Sequence, residues 1–72
     1  MKYKERRGNV FVFDGGYDSE ELELTKKFGG YVFLNVRINP DLDIDTLHGP
    51  ASYKDIQTAV NLMTILKDEG LV

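Results

Sequence analysis

Two apolar runs of strand-forming residues, Asn-Val-Phe-Val-Phe at 9–13 and Tyr-Val-Phe-Leu-Asn-Val-Arg-Ile at 31–38, constrain this chain more than any other feature, because the remaining residues must cover them. The first run carries apolar residues on both faces, Val10 and Val12 on one side and Phe11 and Phe13 on the other, so it needs cover twice. The second alternates, with Val32, Leu34, Val36 and Ile38 pointing one way and Tyr31, Phe33, Asn35 and Arg37 the other. The first run breaks at Asp14-Gly15-Gly16, and the second begins directly after Gly29-Gly30.

Residues 19–28, between the runs, carry two signals. Leu22 and Leu24 alternate as in a strand, while Leu24 and Phe28 have helical spacing. Charge placement favours a helix: Glu20 and Glu21 suit the positive end of a helix dipole, Lys26 and Lys27 the negative end, and Glu23 precedes Lys27 in the favourable i,i+4 order. Ser19 is then the cap and Gly29 the left-handed stop. The competing arrangement is a three-stranded antiparallel meander closed at Gly29-Gly30 and followed by a C-terminal helix.

That last helix is marked by Ser52 with Asp55 as a capping box, by the apolar stripe Ile56, Ala59, Val60, Met63 and Leu66 widened by Leu62 and Ile65, and by Gly70 with Leu71 as a Schellman end. The loop at 39–50 lies between, bounded by prolines and with room for a third short strand at 41–47. The expected fold is therefore a small two-layer α/β domain of order strand, helix, strand, loop, helix.

Seventy-two residues suffice for one domain, which at this size hides roughly 60% of its unfolded surface and is marginal in stability. With no cysteine, neither disulfides nor zinc thiolates add to it. The longest apolar run is four residues, against ~20 for a membrane-crossing helix, so a cytoplasmic protein without membrane contact is expected. The net charge of −3 is unevenly placed: residues 1–8 form a basic arm of +3 and residues 9–72 a single domain of −6. An acidic body repels phosphates, which argues against direct nucleic-acid binding.

Candidate chemistry is sparse. Asp41, Asp43 and Asp45 occupy the first three ligand positions of a calcium loop, but the sixth is Thr46 in place of glycine and the twelfth Ser52 in place of glutamate. Alternation of Asp with Leu and Ile also suits a charged edge strand. His48 and Ser52 form the one base–hydroxyl pair, without the third group and enclosed pocket that nucleophilic catalysis needs. Gly15 and Gly16, between a strand and a helix start, are the alternative site, for a phosphate, although no Rossmann or P-loop spacing accompanies them. The rings of Phe11, Phe13, Tyr31 and Phe33 share one face. They are core if a helix covers them, and a partner surface if none does.

These features together lead to the expectation of a non-enzymatic protein-binding module without metal or cofactor. It would be an inhibitor that blocks a basic site through Asp41, Asp43, Asp45 and the four rings. The alternatives are a nucleotide- or phosphate-binding module and an assembly subunit that acts by forming a homo-oligomer.

Two stretches resemble known families. Residues 11–36, with a strand ending in Asp14, an acidic segment, Lys26-Lys27 and Gly29-Gly30, resemble an internal strand–helix–strand piece of deoxynucleoside monophosphate kinases. That resemblance implies a parallel strand pair joined by a helix. The family's phosphate-binding loop has no counterpart here, so it implies no kinase activity. Gly29-Gly30-Tyr31-Val32, Pro40-Asp41-Leu42 and the helix from Ser52 follow in the order seen in small HicB-type antitoxins, with a longer spacing between strand and Pro-Asp-Leu. This second resemblance implies protein binding, in the form of an antitoxin that blocks its partner.

Overall fold

The computed structural model describes residues 1–15 and 20–72. Among them, six strands and one helix run in the order β1 (Lys2–Arg7), β2 (Val10–Asp14), β3 (Leu22–Lys27), β4 (Gly30–Phe33), β5 (Val36–Ile38), β6 (Ile44–Thr46) and α1 (Tyr53–Asp68). Each strand pairs antiparallel with its neighbour in sequence, so the spatial order of the sheet is the chain order. The meander with a C-terminal helix is thus formed, and strand–helix–strand–loop–helix is not.

The helix expected at 19–28 is β3, and the reason is tertiary. As a helix this segment would offer little more than Leu24 and Phe28 to a core. As a strand it sets Leu24 opposite Phe11 and Leu22 opposite Phe13, which puts both leucines on the aromatic face. Leu24 is fully buried there, and the charges that suit a helix dipole are used across strands instead: Lys4 donates to Glu21 at 2.6 Å. Burial of a whole strand face outweighs dipole and i,i+4 terms of a few tenths of a kcal/mol, about 0.3–1 at most. Ser19, the expected cap, lies outside the described residues.

The single strand expected at 31–38 is broken by a two-residue hairpin at Leu34-Asn35, where Phe33 pairs with Val36 and Tyr31 with Ile38. The turn reverses the chain, so Val36 and Ile38 join Tyr31 and Phe33 on one face while Val32 faces Arg37 on the other. The aromatic and aliphatic halves of the run therefore merge into one core.

α1 lies across this face and completes it. Phe11, Phe13, Leu24, Tyr31, Phe33, Val36 and Ile38 of the sheet pack with Ala59, Leu62, Met63 and Leu66 of the helix, each 8% exposed or less. The helix starts at Ser52, whose hydroxyl accepts the Asp55 N–H at 3.1 Å. It ends in a Schellman motif, with Leu71 N–H donating to the Leu66 carbonyl, Gly70 N–H to the Lys67 carbonyl, and Gly70 at φ 73°.

The basic arm is an ordered edge strand. β1 pairs along β2 with a bulge between Tyr3 and Glu5, and the Tyr3 ring meets Phe13 edge-on at 5.9 Å. The opposite face of the sheet is not bare. Val12 is fully buried on it between its cross-strand neighbours Glu5 and Glu23, and the ion pairs Arg7–Glu5 and Arg37–Asp45 lie on the same face. No helix among the described residues is long and apolar enough to cross a membrane.

Candidate functional site: the hairpin end of the sheet

In an antiparallel meander, alternate hairpins turn at the same end. The β1–β2 turn at 8–9, the β3–β4 turn at 28–29 and the β5–β6 loop at 39–43 therefore lie side by side, and the Leu34-Asn35 turn lies at the far end.

Local sequence dictates each turn. Lys27 pairs with Gly30, leaving Phe28 and Gly29 as the two central residues, both with left-handed backbone at φ 54° and 71°. That is the type I′ geometry that follows the twist of a hairpin and strongly prefers Asn-Gly or Gly-Gly. Phenylalanine is a poor choice for the first position, and its ring is 65% exposed. In the β5–β6 loop, Pro40 follows Asn39, whose side-chain oxygen accepts the N–H groups of Asp41 at 3.0 Å and Asp43 at 3.2 Å. Leu42 sits between them at φ 66°, its N–H donating to the Asn39 carbonyl at 2.8 Å.

Arg37 ties the Phe28 turn to β6. Its Nε donates to the Phe28 carbonyl at 2.9 Å, and its Nη1 donates to Asp45 of β6 at 2.8 Å. The Lys27 ammonium lies 5.2 Å from the centre of the Phe28 ring. Beside them is a shallow, open depression of about 480 Å³ lined by Asn9, Lys26, Lys27, Gly29, Gly30, Tyr31 and Pro40. One end of the sheet thus presents an aromatic ring, a leucine, a proline and charges of both signs on a braced backbone.

The residues singled out in the sequence divide between core and surface. Phe11, Phe13, Tyr31 and Phe33 are brought together, but beneath α1, where they are 0–8% exposed and closed to any partner of the folded chain. Asp41 and Asp43 are exposed, whereas Asp45 is turned to Arg37 on the open face, so the three carboxylates do not converge on a cation. No group of three or more acidic, histidine or cysteine side chains among the described residues could hold a metal ion. The Ser52 hydroxyl is occupied as the helix cap, and the exposed His48 donates its backbone N–H to Asn35 Oδ1 at 2.8 Å. Gly15 follows β2, Gly16 lies outside the described residues, and the next element among the described residues is strand β3 rather than the helix that a phosphate cradle would use.

Phe28 and Leu42 were missed as site residues, although an apolar residue before Gly-Gly between two strand runs is the signal for the first, and they share their backbone geometry with Leu34 at the far end. All three are apolar, solvent-exposed and left-handed: Leu34 has φ 51° and is 67% exposed. They are the only non-glycine residues of positive φ among those described.

Lys4 and Glu21 form the shortest ion pair described, with Arg7 Nη1 3.7 Å from the same carboxylate. The hydrogen bond from Lys4 holds the Glu21 carboxyl below its ordinary value, and the same bond raises Lys4 above its own. The lowered carboxyl contributes stability above the unfolded pKa and loses it as pH falls through the folded one. The raised ammonium contributes below its unfolded pKa and loses it as pH rises through its folded one. Glu21→Gln should therefore melt slightly below wild type at neutral pH and low salt, and the gap should close below about pH 4. A gap that persists undiminished at pH 2 would show that the amide disturbs something other than this pair.

No protein-family model, no curated protein and no solved structure matches this chain.

Proposed function

We propose that this chain is a non-catalytic protein-binding module, an assembly subunit whose contacts are made at the hairpin end and the open edges of its sheet, and that it acts in the cytoplasm. Phe28 supports this reading most. Left-handed backbone at a bulky residue costs on the order of 1–3 kcal/mol, and an aromatic ring 65% exposed regains little of it in the isolated chain. Covering such a ring at an interface reverses the balance, since buried aromatics dominate binding energy. Leu42 and Pro40 at the same end of the sheet add apolar area, and the Asn39-braced loop holds Asp41 and Asp43 ready to meet a basic surface. Inhibition of a partner by occlusion of its basic site is a second form of the same reading, supported by those exposed carboxylates.

Phe28→Asn separates stability from binding, because it creates the pair that a type I′ turn prefers. The variant should stay folded and melt several degrees higher, for a gain of about 1 kcal/mol. A tagged wild-type chain should retain a stoichiometric partner protein, and the variant should bind a partner other than this chain at least tenfold more weakly. Equal retention by both would remove the hairpin end from the interface.

A further inference from the structure

We infer that the partner at the two open edges of the sheet is a second copy of this chain, added head to tail so that the acidic β6 edge of one copy pairs with the basic β1 edge of the next; this rests on the assembly reading above. Among the described residues each edge strand has a single neighbour, β2 for β1 and β5 for β6, so each presents one row of backbone groups unpaired by them. The edges carry opposite charge. β1 holds Lys2, Lys4, Arg6 and Arg7 against its own Glu5 and against Glu21, which pairs with Lys4 and Arg7, while β6 and its preceding loop hold Asp41, Asp43 and Asp45 against Arg37, which pairs with Asp45, so the excess charge is basic on one edge and acidic on the other.

Topology matches direction and position. Strands alternate in direction over an even number, so β1 and β6 run oppositely. A copy shifted sideways sets β6 beside β1 of the next copy in antiparallel order, with both helices on the same face. The loop bearing Asp41 and Asp43 lies at the hairpin end, which is also where β1 finishes with Arg6 and Arg7. Asp45 and Arg7 both point to the face opposite the helix, since their partners Arg37 and Val10 do.

The same charges oppose the symmetric choices. β1 against β1 sets cation against cation, and β6 against β6 sets carboxylates together, as expected of edges that select one partner while refusing another. The three-residue β6 and the bulge in β1 allow few backbone hydrogen bonds, so the charges decide the outcome and the association is salt-sensitive. A head-to-tail contact that does not close extends as an open series.

Sedimentation velocity of the full chain over rising concentration tests this. At low salt the average mass should grow past that of a dimer, and it should fall back as salt is added. Asp41→Lys with Asp43→Lys makes both edges basic, and Lys2→Glu with Arg7→Glu makes both acidic. Each double variant, confirmed folded by its cooperative melting, should associate at least tenfold more weakly than wild type, and an equimolar mixture of the two should recover association. Where the acidic variant does not fold, Arg7→Gln replaces it and should weaken wild-type association severalfold. Growth that stops at a dimer, or variants that associate as wild type does, would overturn the pairing and leave the assembly reading standing. So would a monomeric wild type that still binds a foreign protein through Phe28. A wild type that binds neither itself nor another protein would overturn both.

Discussion

A chain ended after Pro50 should lose its fold altogether. α1 contributes Ala59, Leu62, Met63 and Leu66, all fully buried, and it covers the face formed by Phe11, Phe13, Leu24, Tyr31, Phe33, Val36 and Ile38. Exposing seven such side chains, at about 1.5–3 kcal/mol each on full exposure, exceeds the roughly 4–11 kcal/mol that a domain of this size has in hand. The shortened chain should show no cooperative thermal transition and should aggregate through its uncovered face. A sigmoidal melt with dispersed amide resonances would mean that the sheet is stable alone and the helix is an accessory.

Phe13→Ala should come close to the same result with one residue. Phe13 is fully buried, pairs across strands with Tyr3 and Leu22, and meets the Tyr3 ring edge-on at 5.9 Å with planes 79° apart. A Phe→Ala truncation in a core costs about 3–5 kcal/mol, and the aromatic pair is included in that loss. The melting temperature should fall by more than about 12 °C, leaving the variant substantially unfolded at body temperature if the wild type is near the low end of its range. A drop of only a few degrees would place the ring on an open surface. The contrast with Phe28, where removal of the ring should stabilise, separates the buried aromatic set from the exposed one.

The C-terminal helix was legible to the residue, because its signals are local. Ser52, an apolar stripe and Gly70 act within one turn of where they stand, and each is found in its expected role, while of the expected capping box the bond from the Asp55 N–H to the Ser52 hydroxyl is present. The third short strand in the acidic loop was legible for the same reason, as β6 at Ile44–Thr46. The segment 19–28 was not, because its local signals compete. The winning one, Leu22 and Leu24 set opposite Phe13 and Phe11, depends on residues nine or more positions away. The break at Leu34-Asn35 was hidden similarly. Nothing in Leu-Asn announces a hairpin, and Leu34 adopts φ 51° because the flanking strands pair and because Asn35 is bound on both sides, donating to the Gly49 carbonyl and accepting the His48 N–H.

The candidate site divides along the same line. The exposed acidic loop could be read from composition, since charges on a loop stay in water wherever the loop goes. The role of the rings could not, because alternation says which residues share a face and not what covers it.

By itself the sequence determined the strand-forming runs, the helix with both its caps, the acidic loop and the opposite charges of the two chain segments, all of which follow from interactions within a few residues. Only the tertiary structure decided that the basic arm is an edge strand, that 22–27 pairs rather than coils, and that the four rings are core. It also decided that Phe28 and Leu42 stand in solvent at one end. Those outcomes depend on which faces meet, and contacts between distant residues, not local propensity, carry most of the free energy of a small sheet.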